Sequence, residues 1–246
     1  MSYWRTVIDP ILSVILPEQC RACAARECDL AGGVVCADCW QKAQLFTKET
    51  PLCGKCGAVL GTALRSDSAT CKACDKMVFD RAFACGVYEG AISSSVLALK
   101  KQPVIAKRLK DAIRDAIARN PGVEADVIVP VPLSKKRRFE RGFNQAEMVA
   151  KVVSKSLELP IDTSLLQRNI HTPLHRAGMD LRARELSVEK AFSVADAEFV
   201  RHKHILLVDD VFTSGATVNA CSAVLKKNGA SSVIVFTVAR AVHGRC

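Results

Sequence analysis

Apolar positions in residues 79–246 follow two alternating patterns, one typical of strands and one typical of helices. Runs rich in apolar residues predict strands over residues 79–88, 126–131, 204–208 and 232–239. Between these runs, apolar side chains recur every three or four residues over 104–119, 144–157 and 216–228, as they do along one face of a helix. Strands that alternate with helices in this way predict a parallel α/β sheet.

Two adjacent aspartates, Asp209 and Asp210, directly follow the apolar run at 204–208. An unpaired carboxylate inside a buried strand would cost free energy or shift its pKa. We therefore expect both side chains at the end of the strand, facing a polar group. Carboxylates at such a position can accept hydrogen bonds from the vicinal hydroxyls of a ribose.

A small, hydroxyl-rich turn follows the aspartates and precedes a predicted helix. Its residues are Thr213, Ser214, Gly215, Ala216 and Thr217. The amides of such a turn, together with the partial positive charge of a helix N-terminus, favour a phosphate group. The aspartates and the turn together predict a sugar-phosphate site; the alternative is a chance strand with an acidic end and a helix cap.

Eight of the twelve cysteines form four C-x-x-C pairs in the first third of the chain. The pairs are Cys20 and Cys23, Cys36 and Cys39, Cys53 and Cys56, and Cys71 and Cys74. Twelve residues separate the first two pairs and fourteen separate the last two, which predicts two structural zinc sites of four thiolates each. Disulfides or redox thiols are the alternative, which is disfavoured because no cleavable secretion signal is recognisable.

The residues around the cysteine pairs differ between the two predicted zinc sites. Gly54 and Gly57 suit a metal-binding knuckle at the third pair, whereas the first pair has no such glycine, so the second site is the better match. Cys28 is an alternative ligand for the first site. Cys85 and Cys221 are predicted to be small, buried apolar residues.

The composition indicates a globular protein with either an anionic partner or a generally basic surface. The 246 residues are 49% hydrophobic and 24% charged, with a formal net charge of +10. Two zinc ions bound by eight thiolates would lower that charge to about +6, so a positive excess remains. The apolar N-terminal run is broken at Asp9 and ends at Pro17, too short to span a bilayer. We therefore expect a short amphipathic N-terminal helix and a reduced, cytoplasmic protein.

The stretch ILLVDDVFTSGAT, residues 205–217, resembles the phosphoribosyl-pyrophosphate motif of type I phosphoribosyltransferases. The resemblance implies that Asp209 and Asp210 hold the ribose hydroxyls and that residues 213–217 bind the 5′-phosphate. It also implies a Mg²⁺ ion that bridges the ribose hydroxyls and the pyrophosphate.

A second stretch, VIVPVPLSKKRRFERGFNQAEMVA at residues 127–150, resembles the ComF family of competence-associated phosphoribosyltransferase-like proteins. That family also carries an N-terminal double zinc ribbon, so the resemblance spans nearly the whole chain. It implies a helix and double zinc ribbon over residues 1–78 and a phosphoribosyltransferase-like domain over 79–246. The basic loop after Pro132 would face the pyrophosphate, with a solvated basic loop as the alternative. The implied substrate-binding residues here are Lys136, Arg137, Arg141, Asn144 and Gln145, with Lys135 and Arg138 as further cations of the loop.

A third stretch, residues 172–192, aligns with the segment that covers the bound substrate in that family. Arg184 fits the family pattern and is implied to take part in catalysis. The chain departs from the family pattern at His175 and Ser187, which stand where the family often has glutamine and asparagine. His171 and His175 are alternative acid–base groups or histidines of a surface loop without a role.

Three functions remain open on the sequence alone. The first is a phosphoribosyltransferase whose acceptor is not legible in the sequence. The second is a protein that binds phosphoribosyl pyrophosphate or a nucleotide without chemistry. The third is a module that contacts single-stranded DNA or DNA-uptake proteins, although an aromatic content of 5% gives little support for base stacking.

Overall fold

The computed structural model describes residues 19–29, 31–60, 70–169 and 191–242. The described helices are α1 (Ala37–Gln41), α2 (Gly90–Leu99), α3 (Lys107–Ala118), α4 (Lys135–Arg141), α5 (Gln145–Leu157), α6 (Ala197–Val200) and α7 (Ala216–Lys227). The strands are β1 (Arg81–Val87), β2 (Val127–Pro130), β3 (Leu166–Arg168), β4 (Phe192–Val194), β5 (His204–Phe212) and β6 (Ser232–Arg240). The predicted N-terminal helix lies outside the described residues.

The main sheet has four parallel strands in the order β1-β6-β5-β2, which confirms the predicted parallel α/β fold. Helices and loops cover both of its faces, because alternate residues of each central strand point to opposite sides. On β5, Leu206 and Val208 belong to one apolar cluster, together with residues of α2, α3 and α5. Ile205 and Leu207 belong to a second cluster, together with residues of α7 and of the antiparallel pair β3–β4.

The predicted strands and helices lie where expected, with ends shifted by a few residues, whereas helices α1, α2, α4 and α6 and strands β3 and β4 were not predicted. Helix α2 has no clear amphipathic pattern in the sequence. Helix α4 forms over the residues that were expected to be a basic loop, so that expectation was wrong. Ser134 caps its first turn by accepting a hydrogen bond from the Arg137 amide, and Gly142 ends it in a left-handed conformation with φ of 76°.

The cysteine-rich segment packs against the outer edge of β1 and adds backbone hydrogen bonds to it. The Phe46 amide donates to the Cys85 carbonyl at 2.9 Å, and the Val87 amide donates to the Gln44 carbonyl at 2.9 Å. Further along β1, the Ala82 amide donates to the Lys55 carbonyl at 2.6 Å. The cysteine-rich segment therefore covers the edge of the sheet that β1 would otherwise expose to solvent. A domain boundary after residue 78 stays a prediction.

Candidate functional site

The two aspartates lie at the carboxyl end of β5, at the edge of the sheet where ligands bind in parallel α/β folds. Both are half-buried, and they lie within the last residues of the strand, which continues to Phe212. The Asp210 amide donates to Asp209 Oδ1 at 2.8 Å. Asp210 Oδ2 lies 3.3 Å from the Nζ atom of Lys100, which caps the end of α2.

Burial and the neighbouring charge of Asp210 raise the pKa of Asp209 well above its usual range. The positive charge of Lys100 acts in the opposite direction. A further positive charge near the pair would therefore favour ionisation of Asp209. Such a pair favours groups that donate hydrogen bonds or carry positive charge, such as sugar hydroxyls or a hydrated cation.

The turn after β5 requires glycine at one position. Gly215 has φ of 78°, and a Cβ atom there would lie 2.6 Å from Cζ of Phe212. Thr213 and Ser214 are exposed, and α7 begins directly after Gly215. The first amides of a helix have no partner within the helix, and that of Ala216 donates to Ser214 Oγ at 3.4 Å, so exposed hydroxyls and the N-terminal amides of α7 lie close together in this turn. The arrangement suits a phosphate monoester.

The predicted basic residues after β2 differ in what they contact. Lys136 is exposed and lies 3.9 Å from Glu140 on its own helix. Arg137 lies close enough to Arg168 of β3 for its charge to lower the pKa of Arg168, after burial, which is the larger cause. The same Arg168 is influenced by the charge of Asp209. Arg137 therefore lies near Arg168, which is itself near Asp209, whereas Lys136 pairs with Glu140 along α4.

Asn144 and Gln145 take different parts at the start of α5. The Asn144 side chain caps the helix by accepting from the Ala146 amide at 3.1 Å and donates to the Val131 carbonyl at 3.0 Å. Asn144 thus has a structural role that links β2 to α5. Gln145 is also buried, and its Nε2 atom has no hydrogen-bond partner among the described residues. Arg141 is half-buried at the end of α4.

Two cations of the site were not predicted from the sequence. Lys100 reaches Asp210 from a helix that the sequence pattern does not reveal. Arg168 lies on β3, with its guanidinium 5.3 Å from the centre of the Phe192 ring of β4. No sequence motif identifies either residue, because its place in the site depends on how its helix or strand packs. Arg184, His171, His175 and Ser187 lie outside the described residues.

The eight paired cysteines form two clusters of four, and in each cluster the sulfurs lie within 4.8 Å of one another. Within the first cluster, Cys20 and Cys39 are 3.8 Å apart. Within the second, Cys53 and Cys74 are 3.5 Å apart. A tetrahedral zinc with Zn–S bonds of about 2.3 Å would separate its sulfurs by about 3.8 Å, whereas a disulfide bond is about 2.0 Å long. The clusters fit two structural zinc sites, which confirms the prediction.

Backbone amides stabilise one thiolate in each cluster. Burial acts to raise the pKa of Cys20, but hydrogen bonds from amides, among them that of Cys36 at 3.3 Å, lower it to about 6. The same balance lowers the pKa of Cys53 to about 7. Burial and the neighbouring sulfurs raise the pKa of Cys39 to about 12. A cation would be needed for all four sulfurs of a cluster to ionise together.

The turn after Cys23 in the first cluster forms although it lacks the glycine that follows Cys56 in the second cluster. Ala24 has φ of 57° directly after Cys23, and Gly57 has φ of 65° directly after Cys56. The chain therefore adopts the same left-handed turn at both sites, at a conformational cost in the first. Cys28 is not one of the four clustered cysteines of the first site. Cys85 and Cys221 are fully buried as predicted, and burial raises the pKa of Cys85 to about 12.

Within the described residues, no helix is both long and apolar enough to cross a membrane.

Two segments of the chain match known protein families. Residues 11–75 match the family described as Double zinc ribbon domain, and residues 141–245 match the family described as Phosphoribosyl transferase domain. The first match contains all eight clustered cysteines, and the second contains both aspartates and the turn.

The sequence is similar to those of proteins from three bacteria. "Competence protein F" of Haemophilus influenzae is 31% identical over 86% of this chain and 93% of its own length. "Competence protein ComFC" of Bacillus subtilis is 34% identical over 46% of this chain and 44% of its own length. "DNA utilization protein YhgH" of Escherichia coli is 33% identical over 47% and 49%, respectively.

Among solved structures, a glutamine phosphoribosylpyrophosphate amidotransferase from B. subtilis covers 58% of this chain and 30% of its own, with a TM-score of 0.40 and 20% identity. A score this low supports no inference about the present chain. The sequence relatives do support one, because the similarity to Competence protein F extends through both the ribbon and the sheet. This chain belongs to the ComF family, with a double zinc ribbon followed by a phosphoribosyltransferase-type fold.

Proposed function

We propose that this protein binds phosphoribosyl pyrophosphate, or a nucleotide with the same ribose 5-phosphate part, at the carboxyl end of β5. The observation that carries the proposal is the placement of two half-buried carboxylates directly before a glycine-dependent turn at a helix N-terminus. In this proposal, Asp209 and Asp210 accept hydrogen bonds from the ribose hydroxyls. Residues 213–217 bind the 5′-phosphate through their hydroxyls and amides.

Three cations support a pyrophosphate group beside the ribose. Lys100 pairs with Asp210, and this pair is 31% and 17% exposed, so the ammonium can turn toward a bound anion. The charge of Arg137 contributes to the lowered pKa of Arg168, and an anion bound near both residues would offset that repulsion. We also propose that Lys136, Arg141 and Gln145 contact the bound ligand. The proposed role of Arg184 in catalysis rests on the family resemblance.

A Mg²⁺ ion fits this site, because carboxylate and phosphate oxygens are its preferred ligands and because a positive charge beside Asp209 would favour the ionised carboxylate, whose pKa is raised by burial and by Asp210. Bound with the ligand, the ion would supply positive charge to the pyrophosphate. The chain's own residues would hold the ribose and the 5′-phosphate in place and exclude water from one face of the sugar.

Transfer of the phosphoribosyl group to an acceptor is the proposed reaction. Displacement of pyrophosphate from C1 of the ribose proceeds through an oxocarbenium-like state, so positioning and stabilisation of the leaving charge contribute most. Arg137 and Arg168 would provide that stabilisation. The names of the relatives further suggest a role linked to DNA uptake or DNA utilisation.

Calorimetric titration of phosphoribosyl pyrophosphate in the presence of Mg²⁺ tests the binding proposal. In the variant Asp209→Asn with Asp210→Asn, each lost charged hydrogen bond costs about 1.5–3 kcal/mol, so affinity should fall at least about a hundredfold. Asp111→Asn is the matched control, because Asp111 pairs with Lys107 on the exposed face of α3. Equal affinity in the double variant and the control would refute the site. An assay of the pyrophosphate released from phosphoribosyl pyrophosphate in the presence of candidate bases then tests transfer of the phosphoribosyl group.

Contact with single-stranded DNA is the second candidate function. On α4, the Phe139 side chain is 92% exposed between Arg138 and Glu140, with Lys135 and Lys136 on the same short helix. Bases stack on exposed aromatic rings, and nearby cations contact the phosphates. If this surface binds DNA, affinity should fall with salt by a slope of about −0.7 per contacted phosphate.

The two candidate functions respond differently to two variants. Phe139→Ala should weaken DNA binding and leave phosphoribosyl pyrophosphate binding unchanged, since it removes a ring and no charge. Lys136→Ala with Arg137→Ala should weaken phosphoribosyl pyrophosphate binding with only a shallow dependence on salt, because a compact ligand touches few cations. Salt-sensitive DNA binding that Phe139→Ala abolishes, without any binding of the sugar phosphate, would favour the second function.

A further inference from the structure

The geometry points to Arg240 as a positioning residue through which the second cysteine cluster, formed by Cys53, Cys56, Cys71 and Cys74, holds the phosphate-binding turn in shape. The inference rests on the proposed function, since it names the turn as the place where the 5′-phosphate binds. It goes beyond that function because it makes ligand affinity depend on a zinc site in the ribbon.

Arg240 is the last residue of β6 and is only 9% exposed. One of its terminal nitrogens donates to two carbonyls at the start of the turn, that of Phe212 at 3.2 Å and that of Thr213 at 2.7 Å. Its guanidinium carbon lies 4.0 Å from the centre of the Phe212 ring. Its other terminal nitrogen lies 3.7 Å from Sγ of Cys56. One side chain therefore contacts both the turn and the cluster.

A buried guanidinium needs a negative charge nearby, because an unpaired charge in the interior is strongly destabilising. Within the part of the chain that the structure describes, no carboxylate forms an ion pair with Arg240. The cluster can supply the charge. Four thiolates around one Zn²⁺ carry a net charge of about −2, and Cys56 is the ligand nearest to the guanidinium.

The chain that leaves the cluster also lies against the turn and the residues on either side of it. The Val78 amide donates to Asn219 Oδ1 in the first turns of α7 at 2.7 Å. Phe79 packs edge-on against Phe212, with ring centres 5.9 Å apart. A Cβ atom on Gly215 would lie 3.4 Å from Cε of Met77. The turn is thus enclosed by Arg240 on one side and by residues 77–79 on another.

Loss of zinc from the second cluster would act on the turn through both contacts. Without the metal, Cys56 Sγ would no longer be held 3.7 Å from Arg240, and residues 77–79 would lose the metal that fixes the preceding chain. The carbonyls of Phe212 and Thr213 would no longer be held, and the amides that face the phosphate would lose their common orientation. By linkage, a ligand that binds the ordered turn must raise the zinc affinity of the second cluster by the same factor as zinc raises the affinity for the ligand.

Zinc release from the intact protein to a coloured chelator tests the coupling. Ribose 5-phosphate is the probe, because it carries the phosphate without the pyrophosphate. We expect ribose 5-phosphate to slow release from one of the two sites by about tenfold and to leave the other unchanged. The variant Cys23→Ser, which alters an exposed ligand of the first cluster, identifies which kinetic phase belongs to which site.

The variant Arg240→Met keeps the length of the side chain and removes its charge and its donors. It should bind ribose 5-phosphate at least about tenfold more weakly and should lose the effect of the ligand on zinc release. Arg240→Lys, which keeps the charge, should restore part of the coupling. The measurement on the unaltered protein needs no variant, so poor folding of Arg240→Met leaves the test decisive.

The outcomes separate this inference from the function on which it rests. If ribose 5-phosphate binds the unaltered protein and leaves unchanged both the phases of zinc release and the zinc affinities measured by chelator competition, the coupling is refuted and the binding site stands. If calorimetry detects no binding of ribose 5-phosphate or phosphoribosyl pyrophosphate, the proposed function is refuted and the coupling with it.

Discussion

Replacement of Gly215 by alanine tests the geometry of the phosphate-binding turn directly. Gly215 has φ of 78°, a conformation that costs an alanine about 1–2 kcal/mol. In addition, the new Cβ would lie 2.6 Å from Cζ and 2.7 Å from Cε1 of Phe212. That ring cannot move away freely, because Phe79 lies against it and the Arg240 guanidinium lies 4.0 Å from its centre. Overpacking of this kind costs about 1–3 kcal/mol.

Gly142 provides a matched control for that substitution. Its φ of 76° is nearly the same, but nothing lies within 4 Å of an added Cβ. Gly142→Ala should therefore cost only the conformational part, about 1–2 kcal/mol, whereas Gly215→Ala should cost roughly 2–5 kcal/mol in total. The difference between the two variants measures the clash with Phe212.

Chemical denaturation of both variants, at matched zinc content, gives these free energies of unfolding. Gly215→Ala should also weaken ribose 5-phosphate binding, because relief of the clash moves the turn. Equal destabilisation by the two substitutions would show that Phe212 is not held where the structure has it. Destabilisation of Gly215→Ala with unchanged ligand affinity would separate the turn from the phosphate site.

Three further predictions concern charge and metal. Asp209 keeps its proton to a higher pH in the folded state than in the unfolded state, so its ionisation reduces stability as the pH rises. Relative to the unaltered protein, Asp209→Asn should therefore become more stable as the pH is raised above the ordinary aspartate pKa of 3.8, and denaturation curves at several pH values should show this difference growing; a constant or shrinking difference would contradict the raised pKa. Ala24→Gly should stabilise the first zinc site by about 1 kcal/mol, measured by chelator competition, because it relieves the left-handed strain at φ of 57°. Metal analysis of purified protein should give about two zinc per chain, and intact-mass measurements that reveal disulfides within the clusters instead would overturn both sites.

Short-range patterns in the sequence were sufficient to predict the architecture and the main chemical groups. The parallel sheet follows from apolar strands that alternate with amphipathic helices, because burial on both faces requires that pattern. The zinc clusters follow from four C-x-x-C pairs, because two residues between cysteines let one turn aim both sulfurs at one metal. The position of Asp209 and Asp210 at the carboxyl end of β5 follows from the cost of burying carboxylates within a strand.

The partners of those groups were decided by the tertiary structure alone. Lys100 pairs with Asp210 because the packing of α2 places the end of that helix beside β5. No local sequence pattern predicts that contact. The residues expected to form a basic loop became helix α4, since the Ser134 cap and Gly142 outweighed the repulsion among its cations. Arg240 contacts Cys56 across 184 positions of the chain. Contacts at such separation depend on the register of the sheet and on how the ribbon covers its edge, and these are set by the packing of the whole molecule and not by the residues around either partner.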